Sequence, residues 1–225
     1  MPVNIPGILV PFHLLFNPRL VIPHVVVKDI RQIDFIALRK AGYRGAVFDK
    51  DNCLTVPYED ELVPELQDAW KECRSVFGQG NVLIAESVSH HLSVPVLRHA
   101  SLKPSYACIS RVRGYFSSLR VPVRDEELVV VGDRIFTDVV MGNRMGRGGG
   151  GVGGAEKETG PLAIWTRGVW KRESMAMRWL EKGLVDAVGR WTGGERLESG
   201  SFVKRIPVTE VKEGRLTRLV NRFRR

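Results

Sequence analysis

The sequence predicts an α/β fold with a doubly wound parallel sheet and flanking helices. Four short apolar runs have the length of buried strands. They are 45–48, 81–85, 128–131 and 162–165. Stretches with helical spacing separate the runs, and this alternation is typical of a parallel sheet covered on both faces. Two runs lead directly into Asp49 and Asp133. We therefore expect both carboxylates at the carboxyl edge of the sheet, where such folds bind ligands.

Three stretches between these runs are predicted to be helices. Residues 64–76 place Leu66, Trp70 and Cys73 on one face, and Pro64 is tolerated in a first helical turn. The other two helices are predicted at 105–116 and 137–145. Each helix follows a strand, as the doubly wound arrangement requires.

The composition indicates an intracellular protein with an anionic partner. The 225 residues include 34 Lys and Arg against 25 Asp and Glu, and the formal net charge is +9. A basic surface favours nucleic acid, an acidic membrane face or a phosphorylated substrate; solubility alone is the alternative. The three cysteines are scattered, fit no zinc site and indicate reduced thiols.

The chain opens with an apolar arm. Arg19 is the only fully charged side chain in residues 1–27. No stretch reaches the roughly 18 apolar residues of a spanning helix. The basic start and small-residue cleavage site of a secretory signal are missing. We expect the arm to pack on the core or to dip into one leaflet of a membrane, and we assign residues 1–40 to it.

The rest of the chain divides into an α/β domain at 41–190 and a tail at 191–225. The domain contains a glycine-rich insertion at 147–160, which we interpret as flexible linker because no Gly-Lys-Ser/Thr sequence closes it. The tail combines a loop with a basic amphipathic helix, whose apolar residues are Leu216, Leu219, Val220 and Phe223. Such helices bind anionic lipid surfaces; a surface helix packed on the sheet or a frayed basic terminus is the alternative.

Residues 171–201 are interpreted as an elaboration away from the chemistry. Their apolar stripe consists of Met175, Trp179, Leu180 and Leu184. Helical spacing of this kind favours packing in the core over membrane contact.

The strongest chemical signal is the pair Asp49 and Asp51 after the 45–48 run. Two carboxylates delivered into one turn suit transfer of a phosphoryl group through an aspartyl phosphate. One carboxylate attacks phosphorus, and the other protonates the leaving oxygen and then deprotonates water. A turn in which aspartate caps backbone amides is the alternative, and the pair alone does not decide between them.

A second apolar run ends at an acidic residue, Asp133, and a further aspartate, Asp138, follows soon after it. Mg²⁺ beside a phosphate prefers one or two carboxylates, substrate oxygens and water. We predict Asp133 as a metal ligand together with Asp49 and the carbonyl of Asp51, and Asp138 as a residue that orients water or pairs with a lysine. A helix N-cap is the alternative for Asp133.

Lys103 completes the predicted site. It lies between the second strand and the Asp133 strand, directly before a helix. A lysine there would offset the charge of two carboxylates and a phosphate. A solvated surface lysine is the alternative.

In this order the four motifs resemble those of the haloacid dehalogenase superfamily of phosphatases. The segments FDKDNCLT, VPVLRHASLKP and GDRIFTDVVMGNRMG are more specifically similar to the mitochondrial phosphatidylglycerophosphate phosphatases of fungi and plants. The resemblance implies removal of the terminal phosphate of phosphatidylglycerophosphate to give phosphatidylglycerol, on the route to cardiolipin. It also implies magnesium as the cofactor, an anionic phospholipid as the substrate, and peripheral placement on the matrix side of the mitochondrial inner membrane.

The hydroxyl motif departs from the family. Strict alignment places Glu86 where a serine is expected, and a carboxylate facing a phosphate would repel it. We assign the hydroxyl role to Ser87; a weakened or inactive membrane-bound homologue is the alternative. Arg98, His99 and Arg134 are candidate ligands for the outer phosphodiester of the headgroup, because arginine suits bidentate phosphate contacts.

The gaps that flank Ser87 bear on substrate size. The segments from Asp51 to Ser87 and from Ser87 to Lys103 are too short for a cap domain, so we expect a capless enzyme with an open cleft. A soluble phosphomonoester or a nucleic-acid end is the second interpretation. No nucleic-acid partner is expected, because stacking aromatics are missing. The sequence makes no prediction of the oligomeric state.

Overall fold

The chain folds around a five-stranded parallel sheet with the strand order β1-β5-β4-β2-β3. A computed structural model describes residues 17–85, 94–96, 103–146, 160–168, 170, 175–191 and 202–204. The strands are β1 (Val25–Val27), β2 (Gly45–Phe48), β3 (Val82–Ile84), β4 (Leu128–Gly132) and β5 (Leu162–Thr166). The predicted parallel sheet with flanking helices is confirmed, and every described strand pairing is parallel.

Helices connect the strands. The α-helices are α1 (Phe35–Lys40), α2 (Gln67–Phe77), α3 (Tyr106–Ser117), α4 (Val140–Met145) and α5 (Met175–Trp191). Single turns of 3-10 helix occupy Pro18–Val21, Ile30–Gln32, Pro64–Leu66 and Asp125–Glu127, and a π-helical turn occupies Ile135–Val139. The sequence predicted one continuous helix at 137–145, whereas the structure begins it two residues earlier and with the wider π geometry.

Alternate strand residues face opposite sides of the sheet. Ala46 and Phe48 belong to the cluster that packs against α1 and α2, and Val47 belongs to the cluster that packs against α3 and α4. All residues of β2 and β4 are buried, because helices cover both faces. Gly45 lets the Phe116 ring of α3 pack closely against β2, since a Cβ at this position would lie 2.7 Å from that ring. The core thus fixes the strand ends from both sides.

β1 is a part of the fold that the sequence analysis did not predict. Val25–Val27 pair with β5, and α1 buries Phe35 and Leu38 in the core. The structure therefore places residues 25–40 in the α/β unit, whereas the sequence assigned them to the arm. A three-residue strand within an apolar, proline-rich segment carries no alternation that sequence reasoning could detect. Residues 1–16 and 205–225, and with them the predicted arm start and basic helix, lie outside the described residues.

α5 differs from the other helices in what it exposes. Its inner face packs Val185 and Val188 against the turn Pro18–Val21 and the π-helical turn. Trp179 and Leu180, predicted as core residues, are exposed, so that prediction is wrong for both. Leu184 is partly buried as predicted, and the Met175 side chain lies outside the described residues. Among the described helices, none combines the length and apolar character needed to cross a bilayer.

Candidate active site

The ends of β2 and β4 bring two acidic residues to the same edge of the sheet. Phe48 pairs with Val131, so the residues that follow, Asp49 and Asp133, emerge side by side. The backbone N–H of Asp49 donates to the Val131 carbonyl at 2.9 Å and extends the ladder by one residue. The indole N–H of Trp165 donates to the Asp133 carbonyl at 3.0 Å. The main chain therefore holds both aspartates in place.

Asp138 joins them through the π-helical turn. The turn directs its carboxylate back to the strand end, where Oδ2 accepts from the backbone N–H of Arg134 at 3.2 Å. Gly132 makes this approach possible, because a Cβ at that position would collide with the Asp138 carboxyl group. The sequence placed Asp138 one turn beyond Asp133, and the glycine explains how it reaches the edge.

Lys103 bridges two of these carboxylates. Its Nζ donates to Asp138 Oδ1 at 2.8 Å and also to Asp49 Oδ1. Burial opposes the charge of Lys103, but the carboxylates of Asp138 and Asp49 outweigh it and raise the Lys103 pKa. Arg144 holds the neighbouring loop, since its guanidinium donates to the Pro104 carbonyl at 2.8 Å. The predicted meeting of Lys103 with the nucleophile candidate is therefore present in the structure.

Three carboxylates converge closely enough to hold a cation. One oxygen from each of Asp49, Asp133 and Asp138 lies within 4.8 Å of the others. Burial, followed by the charges of Asp49 and Asp138, raises the pKa of Asp133 to about 8. Asp133 Oδ1 is buried without a hydrogen-bond partner among the described residues. A hard divalent cation would satisfy this oxygen and relieve the repulsion among the three groups, so the residues present fit magnesium.

Asp51 lies in the turn beyond Asp49, and its side chain is about one-third exposed (30%). The Lys50 ammonium lies 3.7 Å from Asp51 Oδ1 and 3.0 Å from Asp60 Oδ1. The carboxylate of Asp51 is not part of the three-carboxylate group. Its roles as acid/base and, through its carbonyl, as metal ligand remain predictions.

Of the residues predicted to bind the substrate, the structure describes only Arg134. Arg134 lies next to the cluster and is exposed; burial lowers its pKa, but the neighbouring carboxylates, with Asp133 foremost, outweigh this and raise it. Its role in binding a phosphodiester remains a prediction. Ser87, Arg98 and His99 lie outside the described residues.

α5 supplies a contact that sequence reasoning missed. The Arg178 guanidinium pairs with Asp133 Oδ2 at 2.5 Å. Glu181, one turn later, is also buried, and its Oε1 accepts from the Phe136 N–H at 3.4 Å. The prediction that residues 171–201 lie away from the chemistry is therefore wrong for the start of α5. A single arginine in a predicted helix gives no signal for a partner 45 residues earlier.

Comparison with known proteins assigns this chain to a family. The sequence model described as "Mitochondrial PGP phosphatase" matches residues 5–150, which include β2, β4 and the three converging carboxylates. The chain belongs to this family. The match confirms the resemblance drawn from the motifs around Asp49, Lys103 and Asp133.

Individual relatives agree with the family match. The phosphatidylglycerophosphatase of Saccharomyces cerevisiae is 31% identical over 83% of this chain and 99% of its own length. The chloroplastic/mitochondrial phosphatidylglycerophosphate phosphatase 1 of Arabidopsis thaliana is 36% identical over 64% of this chain and 44% of its own. The phosphatidylglycerophosphate phosphatase 1 of Chlamydomonas reinhardtii, named as chloroplastic, is 38% identical over 58% of this chain and 52% of its own length. The chain thus spans about half the length of the plant and algal relatives. No solved structure matches.

Proposed function

We propose that this chain is a magnesium-dependent phosphatidylglycerophosphate phosphatase of the haloacid dehalogenase type. It would hydrolyse the terminal phosphate monoester to give phosphatidylglycerol, a precursor of cardiolipin. The observation that carries the proposal is the convergence of Asp49, Asp133 and Asp138, with Lys103 between two of them, in a chain of this family. The names of the yeast and plant relatives supply the substrate.

The proposed reaction proceeds in two displacements at phosphorus. Asp49 attacks the terminal phosphate, a bond forms between its carboxylate oxygen and phosphorus, and the bond to the lipid oxygen breaks. Asp51 gives its proton to that leaving oxygen. Asp51 then removes a proton from water, the water oxygen attacks the phosphorus of the aspartyl phosphate, and inorganic phosphate leaves with Asp49 restored.

The surrounding residues position these groups. Lys103 holds Asp49 and partly neutralises the charge that gathers when a phosphate enters. Magnesium would be held by Asp49, Asp133 and the carbonyl of Asp51, with Asp138 beside it. A bound magnesium ion supplies positive charge next to the phosphate oxygens. Ser87 would contribute a hydroxyl, and Arg98, His99 and Arg134 would bind the second phosphate.

A short connection between β2 and β3 supports a large substrate. The connection from β2 to β3 contains only the turn Pro64–Leu66 and α2 as helical elements, too little for a cap domain. We infer a capless enzyme that reaches a headgroup in a membrane. We also propose peripheral attachment to the matrix side of the mitochondrial inner membrane, because the family model and the yeast relative carry mitochondrial names.

Phosphate release from phosphatidylglycerophosphate tests the proposal. Purified protein would be assayed with magnesium and the lipid in mixed micelles, beside Asp49→Asn. We expect Asp49→Asn to lower the rate by about 10³-fold or more, because an amide is a poor nucleophile. The matched control is Asp68→Asn, since Asp68 is exposed on α2 and is not one of the three converging carboxylates. The control should retain the wild-type rate.

Two outcomes would contradict the proposal. Equal rates for wild type and Asp49→Asn would remove Asp49 as the nucleophile. Turnover of soluble monoesters without turnover of the lipid would favour the soluble-substrate interpretation instead.

A further inference from the structure

The outer face of α5 is apolar although it is exposed. We define this face as Trp179, Leu180, Gly183, Ala187 and Trp191, all of which are exposed. Trp179 and Trp191 are each 77% exposed, and Leu180 is 58% exposed. Four of the eight large exposed hydrophobic side chains in the described residues lie on α5, counting Met177. Such concentration marks an interaction surface rather than scattered surface residues.

Charges around the outer face are mainly basic. Lys182 and Arg190 lie on the Trp179 side of this face, and both are exposed. The acidic residues of the helix do not balance them, because Glu181 is buried and Asp186 is partly buried. Arg19, on the turn that packs against α5, adds a further exposed cation. Tryptophan and leucine bordered by Lys and Arg are the composition of helices that lie in the membrane interface.

The outer face adjoins the active site. Arg178 lies between Met177 and Trp179 and reaches inward to Asp133, so the first turn of α5 contacts the carboxylate cluster and the solvent at once. The chain also enters the described fold on this side, because the turn Pro18–Val21 packs against α5. If the outer face of α5 binds another surface, the carboxylate cluster is therefore held close to that surface.

We propose that the outer face of α5 docks the enzyme on an anionic bilayer. This inference rests on the proposed lipid substrate. A second copy of the chain would also cover apolar side chains, but it would be repelled by the basic border, whereas acidic headgroups match it. The two tryptophans lie about 18 Å apart along the helix and about 120° apart around it, so a helix lying flat with Gly183 and Ala187 towards the membrane would turn both indoles to one leaflet.

The test compares two variants of the full chain in flotation with vesicles. The vesicles are phosphatidylcholine alone or phosphatidylcholine with phosphatidylglycerol. Trp179→Ser/Leu180→Ser/Trp191→Ser should weaken binding to the anionic vesicles by about ten-fold or more, because the inserted apolar area is lost. The matched control is Val121→Ser. Val121 is 59% exposed, and it lies in the connection that leads into the start of β4, at the opposite edge of the sheet. Binding of this control should equal that of wild type.

The kinetic readout separates docking from chemistry. The triple variant should lower the ratio of the rate on lipid in vesicles to the rate on a soluble phosphomonoester. An unchanged ratio together with unchanged flotation would overturn the proposal. If wild type released phosphate from neither substrate, the proposed function would fail, while flotation would still decide the docking surface.

A milder pair of changes guards against misfolding. Trp179→Phe/Trp191→Phe keeps an apolar helix but removes the two exposed indoles. Brominated lipids should quench tryptophan fluorescence strongly in wild type and weakly in this variant, since of the three tryptophans that remain, Trp70 and Trp165 are buried in the core and Trp170 is partly buried against it. Equal quenching in both proteins would overturn the proposal. So would a fall in oligomeric mass in the triple variant, measured by light scattering, with no loss of vesicle binding, because a second copy would then be the occupant.

Discussion

The carboxylate cluster and the outer face of α5 depart from the usual distribution of side chains in opposite ways. The cluster removes charged groups from water: Asp133 and Asp138 are 1% and 2% exposed. The outer face of α5 does the reverse and exposes Trp179 and Trp191 to solvent. Charged residues are rarely buried, and contiguous apolar surface is rarely exposed, so each region indicates a function.

This difference separates hydrolysis, which depends on the cluster, from the proposed membrane docking, which depends on the outer face of α5. The cluster is fixed by contacts within the chain, through Lys103, Arg178 and the Arg134 amide. The outer face of α5 is instead exposed to solvent, and we propose that a membrane surface covers it. Changes in the cluster should therefore slow hydrolysis of every substrate, whereas changes on the outer face should matter only when the substrate lies in a membrane.

Replacement of Lys103 gives the largest expected effect among changes around Asp49. Lys103→Met leaves Asp49 and Asp138 close together without their shared cation. We expect hydrolysis of soluble and membrane substrates to fall by about 10²–10³-fold to the same extent. Steady-state rates on both substrates measure this. Lys71→Met, an exposed lysine on α2, is the control. A loss confined to the membrane substrate would contradict the claim that changes in the cluster slow hydrolysis of every substrate.

Gly132→Ala tests the close approach of Asp138 to the strand end. The added Cβ would push the Asp138 carboxyl group out of place. We expect activity to fall about 10- to 100-fold and the free energy of unfolding to fall by about 1–3 kcal/mol. Activity assays and denaturant titration measure the two effects.

Gly114→Ala is the matched control for Gly132→Ala. Gly114 lies within α3, and nothing lies within 4 Å of a Cβ placed there. Alanine should raise helix stability by up to about 1 kcal/mol and leave activity unchanged. Wild-type activity and stability in Gly132→Ala would contradict the prediction, because they would show that Asp138 tolerates displacement.

Arg178→Gln tests the point where the two regions meet. Arg178 places a positive charge on Asp133, where it would compete with the proposed metal ion. Its removal should lower the magnesium concentration for half-maximal activity by roughly three- to ten-fold. Magnesium titration with a soluble substrate measures this, and Arg39→Gln on α1 is the control. A higher magnesium requirement would mean that Arg178 supports the site rather than competing at it.

Sequence reasoning predicted the features that depend on neighbours along the chain. The strands that end at Asp49 and Asp133 are continuous apolar runs followed by an acid, and that local pattern sufficed. The same pattern gave their shared edge, because parallel strands of one sheet end together. Lys103 was placed by its order in the chain and by its position before α3.

The features that were missed depend on contacts across the fold. Val25–Val27 form a strand only because β5 lies beside them. Trp179 and Leu180 have helical spacing typical of a core face, but Val185 and Val188 determine which side of α5 is buried. Periodicity shows that a helix has an apolar stripe and does not show whether the protein or a membrane covers it.

Trapping of the phosphorylated enzyme tests the central claim, that Asp49 is the nucleophile of the cluster, most directly. Wild type would be mixed rapidly with magnesium and excess substrate, quenched in acid, digested and analysed by mass spectrometry. We expect one phosphoryl group on the peptide that contains Asp49, and no such peptide from Asp49→Asn. Steady release of phosphate by wild type with the label on another residue, or with the same label on Asp49→Asn, would contradict the claim.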